Sequence, residues 1–266
     1  MEGSNLNVAL PQDIAYKRTL IVNVVLIGVQ GSNDWVLVDT GMSGFADSIA
    51  EWAEERFPSG RARAIILTHG HFDHTGSVGE LMNRWGVPVY AHKEEMPYLT
   101  GQADYPEADP EVGGGLMATV SPLYPHKGID LGRRIRPLPD NGEIRELPGW
   151  EWIHTPGHTK GHTSLFRKLD RTLVAGDAFI TVKQESLFAV ITQDKEIHGP
   201  PAYFTPDWDS ARESVKRLCA LNPRIAITGH GVPLGNEELS RGLRSLAENF
   251  NRIALPKHGK YVHTGQ

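Results

Sequence analysis

The sequence predicts a layered α/β protein, on three observations. Short runs rich in β-branched residues alternate with segments whose apolar residues recur at helical spacing. Some runs, such as Ala64-Ile65-Ile66-Leu67, have no polar face, the pattern of a strand covered on both sides. A histidine or aspartate, often beside glycine, follows one such run after another: Asp39 after "WVLVD", the His69 group after "AIILT", His158 after "WEWIHTPG", Asp177 after "TLVAGD" and His230 after "RIAITG". In layered α/β proteins ligands gather beyond one set of strand ends, so residues distant in sequence meet in one cleft.

The elements follow in order. Leu20–Val29 and Trp35–Val38 read as strands of a hairpin joined by the turn cluster "QGSND". Phe45–Phe57 reads as a helix, with Ile49, Trp52, Ala53 and Phe57 on one face. Ala64–Leu67 is a buried strand, Val78–Trp85 a helix and Val87–Ala91 a strand. Trp150–His154, Ser164–Phe166 and Thr172–Ala175 are further strands. "FTPDWDSARESVKRLCALNP" is a helix with Thr205 as its N-cap and Pro206 at the first helical position. Arg224–Thr228 is a strand, and Glu237–Phe250 a helix with Leu239, Leu243, Leu246 and Phe250 in register. Two stretches, His92–Gly142 and Lys183–Tyr203, fit neither period and are read as walls or lids facing a substrate.

Composition narrows the function. A 39% hydrophobic fraction in 266 residues supports a sizeable core, and no repeat or linker divides the chain, so a single domain over 1–266 is expected. A formal net charge of −5 argues against a phosphate-tracking surface, hence against a nucleic-acid partner. The single cysteine, Cys219, excludes an intrachain disulfide, fits a reducing compartment and keeps step with apolar Val215 and Leu218. The first residues, "MEGSNLNVALPQDIAYKR", do not read as a signal peptide, and the apolar run "TLIVNVVLIGV" is too short to span a bilayer. No membrane association and a cytoplasmic location are expected.

"THGHFDHTG" carries the chemistry. His69, His71, Asp73 and His74 place four metal-competent side chains in six positions. A lone histidine or aspartate after a strand is usually a cap or turn residue, but that account does not extend to four together. Imidazole nitrogen and carboxylate oxygen suit zinc, which in catalytic sites keeps a position open for water. His69 and His71, two apart on a short loop, can face one ion, with His158 completing a three-histidine face. Asp73, His74 and His230 then serve a second ion, and the two oxygens of Asp177 can bridge both. So many imidazoles favour zinc over magnesium or calcium. His162, four residues after His158, and Asp39 read as residues that hydrogen-bond and orient the ligands.

With these residues in place the chain resembles the metallo-β-lactamase superfamily. His69-Gly-His71-Phe-Asp73-His74 matches its H-x-H-x-D-H motif, and "TPGHTKGH", "AGDA", "TGHG" and "VDTG" match its later and early positions in the family's order, from about Leu20 to Pro233. The resemblance implies a four-layer αβ/βα sandwich of two mixed sheets, with metals at one edge. Zinc β-lactamases usually carry Cys or Ser where this chain has Asp177, so antibiotic hydrolysis is not implied. The ligand set and "TPGHTKGH" are most similar to glyoxalase II and the acyl-homoserine lactonases, although Ile180 stands where the lactonases place a tyrosine. The implied activity is hydrolysis of an ester, thioester or lactone of a small-molecule substrate by a hydroxide bridging two zinc ions, with iron or manganese as alternative metals. Asp73 would hold the nucleophile's proton and pass it to the leaving group. Lys183 and Phe188 are candidate substrate contacts. The alternative is a one-iron oxidoreductase resembling the persulfide dioxygenases.

Overall fold

The computed structural model describes residues 8–112, 121, 124–182 and 197–262. Two mixed sheets face each other. The first has six strands in sequence order: β1 (Ile14–Thr19), β2 (Val22–Gly28), β3 (Trp35–Val38), β4 (Ala62–Ile66), β5 (Val89–Ala91) and β6 (Ile135–Pro137). The hairpins β1–β2 and β2–β3 are antiparallel, and β3 to β6 run parallel. The second sheet has the order β11-β10-β9-β8-β7, from β7 (Trp150–His154), β8 (Thr163–Arg167), β9 (Thr172–Gly176), β10 (Ile225–Thr228) and β11 (Leu234–Gly235). Only its β9–β10 pair is parallel.

The alternation of side chains along each strand builds the layers. In β2, Val24 and Leu26 turn one way and Val25 and Ile27 the other; in β3, Trp35 and Leu37 oppose Val36 and Val38. The outward set packs on the helices α1 (Ala46–Arg56) and α3 (Val78–Trp85), through Ile49, Ala53, Val78 and Leu81. The inward set meets Leu165, Val174 and Ile227 of the second sheet. On the far side Phe166, Leu173, Ala175 and Ala226 pack on α5 (Trp208–Ala220) and α6 (Asn236–Glu248) through Ala211, Val215, Leu218, Leu239 and Leu243. The result is helix, sheet, sheet, helix, the four-layer αβ/βα sandwich. Among the described residues there are also three short helices: α2 (Phe72–Thr75), α4 (Met96–Leu99) and α7 (Phe250–Ile253). Among the described residues no helix is long and apolar enough to cross a membrane.

Several boundaries differ from the sequence reading. The strand expected from Leu20 starts at Val22, because Leu20 and Ile21 form a hairpin turn with Leu20 exposed at φ 61°. The strand before that turn, "IAYKRT", was not legible: it is an edge strand with four of its six residues only half-buried or exposed. The helix expected to be capped by Thr205 is capped by Asp207, whose carboxylate accepts from the Ser210 N–H at 2.9 Å. The Thr205 hydroxyl is engaged elsewhere, donating to the Pro201 carbonyl at 2.7 Å. His92–Gly142 is not irregular throughout. It contains α4 and the edge strand β6, whose arginine and proline hid it. The helix expected to run to Phe250 breaks at Asn249. Cys219 is partly buried against the core of the second sheet.

Candidate metal centre

The chain delivers its histidines and carboxylates to one edge of the sandwich from four loops. β4 leads into His69 and His71, and α2 carries Asp73 and His74. His158 sits on the β7–β8 loop, Asp177 directly after β9 and His230 just after β10. Backbone bonds lock these loops across the two sheets: Thr163 N–H to the Thr68 carbonyl at 2.8 Å, and Asn23 N–H to the Gly229 carbonyl at 2.7 Å. The Asn23 amide also donates to the Thr228 and Gly231 carbonyls at 2.9 and 2.7 Å.

All seven side chains are buried and form overlapping groups of ligand atoms within 4.8 Å of one another: His69, His71 and His158; His69, His74 and Asp177; Asp73, His74 and His230. His71 Nδ1 lies 3.1 Å from His69 Nε2 and 2.9 Å from His158 Nε2. Two nitrogens bound at zinc distances in a tetrahedron stand about 3.3 Å apart, so this convergence suits one ion. Asp177 Oδ2 lies 3.5 Å from His158 Nε2, 3.5 Å from His74 Nε2 and 3.2 Å from His230 Nε2. Asp73 Oδ2 is 3.4 Å from His230 Nε2. Among the described residues, Asp177 Oδ1 and His74 Nε2 are buried with no hydrogen-bond partner. Buried polar atoms are rarely left so. Together with the nitrogen–carboxylate donor set, these orphans fit a metal centre.

The outer ring nitrogens are held, which turns the others inward. His69 Nδ1 meets the Thr68 hydroxyl at 3.1 Å, and His158 Nδ1 meets the Thr205 hydroxyl at 3.3 Å. His230 Nδ1 donates to the Ile21 carbonyl at 2.8 Å. His74 Nδ1 donates to Asp39 Oδ2 at 2.8 Å, and Asp39 in turn accepts the Thr68 N–H and hydroxyl, both at 2.8 Å. Asp39 takes this position with a left-handed φ of 58° at the end of β3, a conformation uncommon outside glycine. His162 lies outside the ligand groups. Its Nε2 accepts the Asp177 backbone N–H at 2.9 Å and its Nδ1 meets Thr155 Oγ1 at 2.9 Å. At Gly229 a Cβ would sit 2.0 Å from Asp177 Oδ1, so the carboxylate's position requires glycine there.

Burial, and then the neighbouring imidazoles, hold His69 and His158 well below the usual histidine range and His71 at about 3. His162 is lowered to about 3, chiefly by burial. Metal ligation requires neutral imidazole, which these groups supply. His74 and His230 differ. Burial disfavours their protons, but the Asp177 carboxylate, helped by other acidic neighbours, raises both. For Asp177, burial favours the acid, yet His230 and His74 hold the carboxyl well below its usual range.

These shifts set a pH optimum for the metal-stripped protein. A histidine lowered from 6.5 to about 3, as His71 and His162 are, holds a proton between those values only when unfolded. Stability from each is complete above 6.5 and falls by about 1.4 kcal/mol per pH unit below it. The raised His74 and His230 contribute stability that is complete below 6.5 and is lost as pH rises through their folded values. Denaturant melts of chelator-treated protein should therefore show stability falling from pH 6.5 to 5. A flat profile there would mean the buried imidazoles are not neutral.

A cavity of about 380 Å³ opens beside His71 and His158, walled by Tyr98, Tyr105, Phe204 and Tyr261. The Phe204 ring lies 4.8 Å from that of His71. Of the stretch expected to face the substrate, residues 183–196, including Lys183 and Phe188, lie outside the described residues. Its described end, with Pro201 and Tyr203, borders the metal cluster. Sequence reasoning missed Thr68 and Thr155, which are ordinary strand and loop residues in the linear pattern, and gave Thr205 a different role, as a helix cap. It also missed buried Glu95, in "HKEEMP". Asn23 left a signal, the one amide within "TLIVNVVLIGV".

A family model described as the metallo-beta-lactamase superfamily matches residues 18–230. The probable metallo-hydrolase YflN of Bacillus subtilis (strain 168) is 48% identical over 235 residues, 88% of this chain and 89% of that protein. The hydroxyacylglutathione hydrolase GloC of Haemophilus influenzae is 27% identical over 184 residues, 67% of this chain and 74% of that protein. The crystal structure of an archaeal metallo-beta-lactamase superfamily protein from Sulfolobus tokodaii superimposes with a TM-score of 0.60 at 18% identity, covering 95% of this chain and 90% of that one.

Proposed function

The chain belongs to the metallo-beta-lactamase superfamily, and from that membership and the cluster's geometry we propose that it is a dinuclear metal hydrolase of an ester, thioester or lactone. The observation that carries the reading is Asp177 Oδ2, which lies within 3.5 Å of His158 on one side and of His74 and His230 on the other. One carboxylate so placed could serve two ions. His69, His71 and His158 would hold the first, Asp73, His74 and His230 the second, and Asp177 both. The imidazole-rich set favours zinc, and iron or manganese accept the same donors.

Bound metal supplies Lewis acidity toward a carbonyl oxygen and a nucleophilic water at neutral pH. The chain's own residues do the rest. Asp39, Thr68, Thr205 and the Ile21 carbonyl fix the ring nitrogens, as described above. Asp73, through the carboxylate oxygen not given to the metal, would hold the proton of the attacking water and return it to the leaving oxygen or sulfur. The cavity beside His71 and His158 takes the apolar part of a small-molecule substrate between Tyr98, Tyr105 and Phe204. Lys183 and Phe188 remain proposed substrate contacts. A single domain over 1–266 belongs to the proposal, since both sheets share one core and both contribute to the cluster. So does a cytoplasmic setting, which the lone cysteine fits.

Metal analysis and a panel of lactones, thioesters, esters, phosphodiesters and β-lactams test this together. The expected result is two metal ions per chain, with turnover confined to the lactones, thioesters and esters. One iron per chain with oxygen consumption would replace the hydrolase reading by an oxidoreductase of the persulfide-dioxygenase kind.

A further inference from the structure

Glu95 ends the short 3₁₀ turn after β5 and is fully buried, yet it takes no part in the ligand groups. Four donors converge on its carboxylate. Oε2 accepts the Gly70 N–H at 3.0 Å and the Tyr105 hydroxyl. Oε1 accepts the Thr159 hydroxyl at 2.6 Å and the Gly161 N–H at 2.9 Å. Gly70 is the residue between His69 and His71. Thr159 follows His158, and Gly161 precedes His162. One carboxylate thus ties the loop after β4 in the first sheet to the β7–β8 loop in the second. The fit is close enough to dictate the neighbouring residues: a Cβ on Gly70 would sit 2.2 Å from the Tyr105 hydroxyl, and one on Gly161 would sit 2.7 Å from Glu95 Cγ. Tyr105 closes the arrangement by laying its ring against His71, centroids 4.8 Å apart.

We propose that Glu95 is the positioning residue of the three-histidine face, its carboxylate fixing the His69–Gly70–His71 turn against the His158 loop so that three ring nitrogens converge. The inference rests on the metal reading above. A buried carboxylate with each oxygen doubly hydrogen-bonded is a rigid four-way brace, since all four partners donate to it and two of them, the backbone N–H groups of Gly70 and Gly161, can only donate. An amide in its place turns its NH₂ toward one hydroxyl, which can accept, and one backbone N–H, which cannot, so at least one of the four bonds is lost and that loop is pushed away.

Cobalt(II) is the probe, because its visible absorption reports the geometry at the ion. Wild type, Glu95→Gln and Thr159→Val are each titrated with cobalt against a chelator, and each metal-free form is melted. Glu95→Gln should bind the first cobalt ion about 10–100-fold more weakly, the range for lost outer-shell partners of metal ligands, with an altered spectrum. Thr159→Val removes one of four donors while keeping shape, and should change affinity severalfold in the same direction. Should Glu95→Gln fail to fold, Thr159→Val decides alone. Unchanged cobalt affinity and spectrum in the folded variants, with only a lower melting temperature, would overturn the positioning role and leave a structural one. A wild type that binds no cobalt would overturn the metal reading and this inference with it.

Discussion

Asp177→Asn is expected to cut metal content from two ions to one per chain and to lower turnover by more than about 100-fold, beyond the loss typical of an outer-shell partner. The substitution keeps the shape of a buried side chain whose backbone N–H stays bonded to His162 Nε2 at 2.9 Å, so the fold should persist. It removes the charge. Asp177 Oδ2 lies within 3.5 Å of the Nε2 atoms of His158, His74 and His230 alike. Oδ1 has no other partner among the described residues. An amide nitrogen there cannot accept a metal, and its hydrogens face imidazole nitrogens that the ions need. Elemental analysis of the purified variant, circular dichroism and a kcat measurement on an acyl substrate separate the terms. Two metals with full turnover would rule out the bridging role. The same substitution should also lower the protonation of His74 and His230 in metal-free protein, because the carboxylate is what raises them against burial.

The fold was legible where the physics is local. Wholly apolar runs such as "AIIL" and "LVA" announce strands covered on both faces, and the alternate residues of those strands sort into the inter-sheet and helix-facing cores. Edge strands were lost, because half their side chains face solvent: "IAYKRT" and "IRP" have too few apolar residues to show a period. Four residues of the cluster, His69, His71, Asp73 and His74, stood out by their density, and His158, Asp177 and His230 because each follows a strand with a metal-competent side chain. Their supports did not. Glu95, Thr68 and Thr205 acquire meaning only when loops from two sheets meet, and nothing in "HKEEMP" distinguishes Glu95 from its exposed neighbour Glu94. Thr205 shows the limit most directly. Its place before Pro206 satisfied the rules for a helix cap, and the fold spends its hydroxyl on the Pro201 carbonyl and His158 instead.

His158→Ala and His162→Ala should separate two histidines that stand four residues apart and are both buried. His158 presents Nε2 to His71 Nδ1 at 2.9 Å with its other nitrogen held by Thr205, so its loss opens the three-histidine face. The variant should fail to retain the metal at that face, and turnover should drop by more than about 100-fold. His162 presents Nε2 to a backbone N–H, that of Asp177, and Nδ1 to Thr155. Its loss leaves the buried N–H unsatisfied, at a cost of about 1–3 kcal/mol in stability. It also loosens the carboxylate between the ions. Metal content should therefore stay near wild type, while kcat falls about 10–100-fold, as expected for a residue acting through a ligand. Metal analysis on both variants decides. Full metal in His158→Ala with depletion in His162→Ala would exchange the two roles. A common loss in both would place His162 among the ligands, despite its ring nitrogens being bonded to Asp177 N–H and Thr155.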